Sequence, residues 1–218
     1  WEFKITARTG TNGSVQIRKD GTVFYTLSGI NTANSGSDGA DIVRFMFQFG
    51  NQGTFDDMYV LDSSGALNND YLSGDVVIFG SQPSGDGNRT EWTPSTGSAH
   101  YSLVNDTPGA PSDSTKVTSQ TPGQDDLYDY QNLSRISTST PIYGIMLETV
   151  GGMETSGSRV LRPLVRDTGG SEDSSYSWTW SDTIQHSETT IYEQNPVTSV
   201  AWDKTSLDAA QFGIDLDS

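Results

Sequence analysis

The sequence of 218 residues contains no cysteine, and this absence excludes several kinds of chemistry together. Disulfide bridges, thiol nucleophiles and iron–sulfur clusters all require cysteine, and so do the common zinc fingers. Histidine is almost as scarce, because only His100 and His186 occur. We expect each of them to lie on the surface or on a sheet face, rather than to act as a general base or as a member of a catalytic triad.

Basic residues are also few, since 12 lysines and arginines face 28 aspartates and glutamates, which gives a net charge of −16. A surface this acidic repels the phosphates of nucleic acids and of anionic membranes. Arg159, Arg162 and Arg166 form the one local basic group, and we interpret them as salt-bridge partners of the acidic excess. No apolar run approaches the roughly 18 residues of a transmembrane helix. The sequence therefore predicts no nucleic-acid partner and no insertion into a membrane.

Motifs that carry catalysis are missing as well. The sequence has no Gly-x-Ser-x-Gly elbow, no Walker or Rossmann glycine pattern, no His-Glu-x-x-His and no EF-hand spacing. Glycosidases need two carboxylates that converge on one sugar, whereas Glu188 and Glu193 are five residues apart and point to opposite faces of an extended strand. We therefore predict that the chain is not an enzyme, has no catalytic residues and needs no cofactor, with calcium left open.

The residues that are plentiful favour an all-β chain. Glycine and small polar residues suit short strands joined by many turns, and 10% aromatic residues supply a core. In residues 1–80, apolar residues alternate with polar ones, as strands require. Asp20-Gly21 predicts a hairpin turn. The predicted strands lie near residues 3–5, 15–17, 23–27, 43–49, 55–61 and 75–79.

A second group of predicted strands follows residues 81–90, which we interpret as a linker because turn-forming residues dominate 81–87. Within residues 91–218, Pro163 indicates an edge strand or a bulge. A short helix near residues 206–211 is expected, with Asp203 or Thr205 as its cap and Gly213 at its end. The strands of this group are predicted at 99–104, 127–131, 142–150, 159–166, 175–180, 184–192 and 212–216.

Several motifs, in a fixed order, resemble those of a family of bacteriophage virion proteins. In that family the closing strands of a concanavalin A-like (laminin G-like) jelly roll precede a second β domain. The resemblance covers most of the chain. The motifs are residues 55–62 (FDDMYVLD), 68–76 (NNDYLSGDV), 85–87 (GDG), 90–95 (TEWTPS), 191–196 (IYEQNP), 201–202 (AW) and 209–214 (AAQFGI).

The resemblance implies two antiparallel β-sandwich or jelly-roll units, the first (1–80) incomplete and the second spanning 91–218. Trp1 opens in the middle of a strand pattern, so we interpret it as a cut end. We expect a preceding segment or another chain to cover the apolar face formed by Phe45, Phe47 and Phe49. The implied protein is a decoration, fibre or tail component on the exterior of a phage particle. Its expected partners are other virion proteins, including further copies of itself, and a host surface glycan.

Two groups of residues are candidate binding sites. Tyr176, Trp178 and Trp180 share one face of a predicted strand; exposed, they would form a platform for sugar rings, and buried, they would be core. Because aliphatic residues are few, burial is favoured. Asp56 and Asp57 could bind calcium at a sheet rim, although capping a turn is the simpler role. A carbohydrate-binding adhesion module is accordingly the alternative function, and a glycan-degrading enzyme is the third.

Overall fold

The computed structural model describes residues 1–33, 56–64, 66–107 and 110–218. The chain divides into two compact units, Trp1–Phe79 and Gly80–Ser218. Every strand pairing in the described residues is antiparallel, which confirms the predicted all-β class. The predicted strand 43–49, with Phe45, Phe47 and Phe49, lies outside the described residues.

The first unit contains a three-stranded sheet of strands β1 (Glu2–Thr6), β2 (Gly13–Lys19) and β3 (Thr22–Ile30), in the order β1-β2-β3. Asp20 and Gly21 join β2 to β3, and both have positive φ angles of 51° and 73°. Positive φ at both central residues is what the tight two-residue hairpin requires, and aspartate followed by glycine is a favoured pair there. The predicted hairpin is confirmed.

Two strands predicted later in this unit are wrong in the residues that the structure describes. Residues 56–61 and 75–79 contain no strand. Asp57 has a φ of 51°, which interrupts an extended run, and its carboxylate accepts a hydrogen bond from the backbone N–H of Ile78 at 2.7 Å. Val60 is 68% exposed, so the alternating pattern of this segment does not lead to a buried face.

The second unit is built on a six-stranded antiparallel sheet. Five strands run in the order β10-β9-β13-β7-β4. The sixth, β11, lies on the same side of β9 as β10: β11 pairs with residues 159–161 of β9, and β10 pairs with residues 165–166. The strands are β4 (Pro83–Thr90), β7 (Gln124–Tyr130), β9 (Arg159–Arg166), β10 (Glu172–Asp173), β11 (Trp178–Trp180) and β13 (Gln211–Leu216).

A two-stranded ribbon of β8 (Ile145–Gly151) and β12 (His186–Tyr192) packs against one face of this sheet. Their shared core includes Leu147 and Tyr192 from the ribbon, and Val165 and Phe212 from the sheet. Two packed antiparallel layers make this unit a β-sandwich. A further short ribbon pairs β5 (Thr93–Pro94) with β6 (Val117–Thr118).

Two predictions for the start of this unit are wrong. The predicted linker 81–90 contains β4, which pairs with β7 through a bulge, so its glycines bend a strand rather than connect domains. The predicted strand 99–104 is a 3₁₀ turn at Tyr101–Leu103. The Asp86 carboxylate accepts a hydrogen bond from the backbone N–H of Tyr101 at 2.7 Å, which holds the chain in a turn.

Pro163 lies in β9, where its missing N–H could interrupt a ladder. The strand pairs with β13 along one side. On the other side, β11 pairs with residues 159–161 and β10 with residues 165–166. Pro163 therefore falls at a gap between two short neighbours, which is the local edge position predicted for it.

Asp203, one of the two predicted caps, is the N-cap of helix α1 (Lys204–Asp208), which begins two residues and ends three residues before the predicted 206–211. The Asp203 carboxylate accepts a hydrogen bond from the N–H of Ser206 at 2.7 Å, and the Ser206 hydroxyl accepts one from the N–H of Asp203 at 3.1 Å. The prediction that Gly213 ends the helix is wrong, because Gly213 lies in β13. A Cβ there would be 1.8 Å from the carbonyl oxygen of Asp126, so glycine lets β13 approach β7. No helix of the described residues is long and apolar enough to cross a membrane.

Candidate functional site

The three aromatic residues predicted to bind a glycan differ in how far they are buried. Tyr176 is 49% exposed, Trp178 is half-buried and Trp180 is only 4% exposed. The Trp180 ring stacks on the His186 imidazole with centroids 5.3 Å apart, and Tyr176 meets Tyr192 edge-on at 5.6 Å. The structure does not bring Tyr176, Trp178 and Trp180 together as an exposed platform, and Trp180 belongs to the core of the sandwich.

The acidic residues predicted to bind calcium are engaged by backbone groups. Asp56 accepts a hydrogen bond from the N–H of Asp57 at 2.9 Å, and Asp57 accepts one from Ile78 at 2.7 Å. Within the described ranges, no group of three or more histidine, aspartate or glutamate side chains could hold a metal ion. The geometry of Asp56 and Asp57 is that of residues that shape a turn.

A buried polar network, which no motif of the sequence indicates, lies at one side of the six-stranded sheet. Asp126 on β7 is completely buried and accepts hydrogen bonds from His100 Nδ1 at 2.7 Å, the Tyr128 hydroxyl at 3.0 Å and the backbone N–H of Trp92 at 2.9 Å. Burial raises the pKa of Tyr128, and the neighbouring charge of Asp126 raises it further. The prediction that His100 lies on the surface or on a sheet face is wrong, because the loop before the 3₁₀ turn carries it into the interior.

A histidine whose Nδ1 is held by a carboxylate could orient a general base. Such a base also needs a nucleophile or a water at its other nitrogen. In the part of the chain that the structure describes, no hydroxyl is hydrogen-bonded to Nε2 of His100. His186 is held differently, because its Nε2 lies 3.0 Å from Asp182 and its ring stacks on Trp180. The geometry of both histidines is explained by packing and hydrogen bonding.

Charged side chains meet on the opposite face of the same sheet. Arg89 forms ion pairs with Asp125 and, at 2.7 Å, with Glu172, which also pairs with Arg166 at 2.7 Å. Arg162 pairs with Asp217 at 2.8 Å, so the predicted salt-bridge role is confirmed for Arg162 and Arg166. Arg159 instead donates to the carbonyl oxygen of Ser158 at 2.9 Å.

Asp125 and Asp215 form a carboxyl pair on this face, because β7 and β13 place them directly opposite each other. Burial raises the pKa of Asp215 to about 6, and the charge of Asp125 contributes to the same shift.

One apolar face of the three-stranded sheet in the first unit is largely exposed, and we name it the open face. Directly paired residues lie on the same face of an antiparallel sheet. Phe3 pairs with Ile17, and Ile17 pairs with Tyr25. Ile5, Val15 and Leu27 form the next row. Trp1 and Phe24 extend this face, with their rings in edge-on contact at 5.5 Å. The open face consists of Trp1, Phe3, Ile5, Val15, Ile17, Phe24, Tyr25 and Leu27.

The other face of that sheet is polar, and the chain covers it with residues from 59 to 71. The Tyr71 ring lies 3.8 Å from the Arg18 guanidinium, and its hydroxyl donates to the carbonyl oxygen of Gln16 at 3.1 Å. Lys4 pairs with Asp70 at 2.8 Å. The chain thus places side chains against the polar face of this sheet, while Phe3, Ile5 and Leu27 on its apolar face are exposed.

Comparisons of the chain with protein-family models, with curated proteins and with solved structures found no match.

Proposed function

We propose that this chain is a structural component of the exterior of a bacteriophage particle, as a head decoration, fibre or tail protein, and that it acts by assembling with further copies of itself. The observation that carries the assembly role is the open face. The placement on a phage particle rests on the ordered motifs that resemble the virion family.

The size of the open face supports an interface. Trp1, Phe3, Phe24 and Tyr25 are 46 to 70% exposed. At about 150–250 Å² for each aromatic side chain, these four present on the order of 500 Å² of surface. A typical monomer has a largest apolar patch of about 300–600 Å², and one partner of a standard interface buries about 800 Å². The open face would supply most of the apolar part of such an interface.

A second copy of the chain is the partner that fits this surface best. The open face is apolar and carries Lys19 beside Trp1, with the lysine Nζ 5.7 Å from the ring centroid. With a net charge of −16, two copies repel each other at long range, so contact through a face without acidic side chains is the favourable way for them to associate. A face that packs against its own copy forms a closed, symmetric interface.

The proposed role includes no chemical reaction. Asp126 and His100 hold a loop on the sheet, and Asp125 and Glu172 are paired with Arg89. A second candidate function, a module that binds a surface carbohydrate, is favoured by a separate cavity in the second unit, which Asp167 and Asn195 line. The two roles are compatible, because they use different surfaces.

Labelling of particles tests the proposed location. Antibodies raised against the folded chain should bind intact particles of the phage that encodes it, and electron microscopy should show the label at repeated positions on the outside. Antibodies against an internal protein of the same particle are the control and should label only disrupted particles. If the chain is absent from purified particles, or if label appears only after disruption, the proposed location is wrong.

A further inference from the structure

A cavity of about 240 Å³ lies in the second unit, between the end of β9, the turn after β12 and the start of α1. Asp167 follows β9 and borders the cavity on one side. Asn195 and Val200, which are bridged to each other across a tight turn, line the second side. Its lining includes Asp167, Asn195, Thr198, Val200, Asp203 and Ser206.

Asn195 provides the decisive feature of the cavity. The residue is only 3% exposed, and its side-chain oxygen accepts hydrogen bonds from the N–H groups of Val197 at 2.9 Å and Thr198 at 3.3 Å. Among the hydrogen bonds of the described residues, none uses its amide nitrogen. In the described residues, the buried side-chain atoms without a partner do not include this nitrogen, so solvent reaches it and its two N–H groups are open to the cavity. Asn195 therefore offers an amide group, fixed through its oxygen, to whatever occupies the cavity.

Hydrogen-bond acceptors lie around that donor. One oxygen of Asp167 accepts from the N–H of Ser171 at 2.8 Å, which fixes the carboxylate and leaves its second oxygen available. The Thr198 hydroxyl adds a group that can both donate and accept. The Asp203 carboxylate and the Ser206 hydroxyl are already bonded to each other's backbone, so they shape the wall instead.

The chemistry of the lining selects a class of ligand. The carboxylates of Asp167 and Asp203 at the wall disfavour an anionic ligand. A calcium ion would need six to eight oxygen ligands, which is more than the two that these carboxylates offer. A sugar hydroxyl donates to a carboxylate and accepts from an amide at the same time, which matches Asp167 beside Asn195. The exposed Val200 side chain can pack against the C–H groups of a ring. The volume is below the roughly 300–1,000 Å³ of pockets for drug-sized ligands, so one ring is the suitable size.

We propose that this cavity binds a single neutral hexose unit of a cell-surface glycan, with Asp167 and Asn195 as the residues that recognise its hydroxyl groups. The inference does not depend on assembly through the open face, and either can fail alone. It assigns the carbohydrate role to the turn after β12, and not to the aromatic residues 176–180.

Nuclear magnetic resonance titration of the full chain tests the proposal. The probes are the methyl α-glycosides of glucose, galactose and mannose, together with N-acetylglucosamine. At least one should give saturable shifts of amides in residues 195–201 and 167–171. Asp167→Asn keeps the bond to Ser171 but replaces the free oxygen with a donor, and Asn195→Asp keeps the bonds to Val197 and Thr198 but removes the donor. Each should weaken binding at least tenfold.

The matched control is Asp182→Asn. Asp182 also accepts a backbone hydrogen bond, from Ile184 at 3.0 Å, but it lies outside the cavity. Its substitution should leave sugar binding unchanged. The proposal is wrong if none of the four sugars gives saturable shifts with the folded parent chain, if the two cavity variants bind as the parent does, or if calcium alone shifts these amides. Should Asn195→Asp prove unfolded in its amide spectrum, the Asp167→Asn result decides.

Discussion

The carboxylate of Asp126 is completely buried and lies 2.7 Å from Nδ1 of His100, which is 26 residues earlier in the chain. Asp126 sits on a central strand of the sheet, whereas His100 lies in the loop between β5 and the 3₁₀ turn. The same carboxylate accepts from the N–H of Trp92 and from the Tyr128 hydroxyl. The Asp126 side chain therefore binds both ends of the segment 92–100 to the sheet through hydrogen bonds.

Removal of this carboxylate should destabilise the second unit strongly. Asp126→Ala leaves the buried donors of His100 and Tyr128 and the partly buried N–H of Trp92 without their acceptor, so the free energy of unfolding should fall by on the order of 3–5 kcal/mol. Asp129→Ala on the same strand is the control, because Asp129 is exposed and its carboxylate accepts a single hydrogen bond among the described residues, from Gln211 at 2.9 Å. Its cost should stay below about 1 kcal/mol. Urea unfolding measures both, and equal losses would contradict the structural role of Asp126.

Local signals in the sequence predicted the parts of the fold that depend on neighbouring residues. The Asp20-Gly21 turn and the Asp203 cap were recognisable because each needs a particular residue at a particular place. The strand Arg159–Arg166 was predicted with its observed limits. The all-β class followed from composition and turn residues.

Contacts between distant residues explain what the sequence could not predict. His100 is buried because Asp126 accepts a hydrogen bond from its Nδ1. Residues 99–104 form a turn and not a strand because the Asp86 carboxylate accepts a hydrogen bond from the backbone N–H of Tyr101. Turn-forming residues in 81–87 predict a linker at 81–90, whereas β7 supplies a partner strand across a bulge. The cavity beside Asn195 also joins residues from three separate elements, and no spacing along the chain indicates it.

The stability of the second unit should depend on pH through Asp215. Burial raises the pKa of Asp215 to about 6 in the folded chain, against about 3.9 when unfolded. The folded state therefore binds the proton more tightly, and this group's contribution to stability falls as the pH rises from about 4 to about 6. Asp215→Asn should remove this dependence of stability on pH. It should also raise the free energy of unfolding at pH 7 by about 1 kcal/mol, which is less than the full pKa shift would give because Asp215 is partly exposed to solvent.

Urea unfolding at several pH values between 4 and 7 measures this effect. Asp129→Asn is the control, because it changes an exposed aspartate on the neighbouring strand to the same amide, and it should keep the slope of the parent chain. An Asp215→Asn variant that is less stable than the parent at pH 7 would show that the charged form of Asp215 contributes a favourable contact.

The close contact between Gly151 and Trp180 predicts a steric effect. A Cβ at position 151 would lie 2.8 Å from the Trp180 ring, which is itself fixed by stacking on His186. Gly151→Ala should therefore lower the free energy of unfolding by about 1–3 kcal/mol. At Gly80 an added Cβ meets nothing within 4 Å, so Gly80→Ala should change stability by less than about 0.5 kcal/mol. Thermal unfolding of the two variants checks the difference, and similar melting temperatures would refute the contact.

The open face should respond to polar substitution through assembly, and not through folding. Phe3→Thr combined with Ile5→Thr keeps residues that favour strands while removing two exposed apolar side chains. We expect this variant to remain folded and to lose self-association. Lys4→Thr combined with Gln16→Thr is the matched control on the covered polar face of the same sheet, and it should associate as the parent does. Analytical ultracentrifugation separates the two outcomes.

The native mass of the unmodified chain tests assembly through the open face most directly. Measured across a wide range of concentration, it should equal a fixed multiple of the mass of one chain, and the Phe3→Thr, Ile5→Thr variant should return to the mass of one chain. If the unmodified chain has the mass of a single chain at every concentration, the open face is not a self-assembly interface, and the proposal that the protein works by assembling with its own copies is wrong.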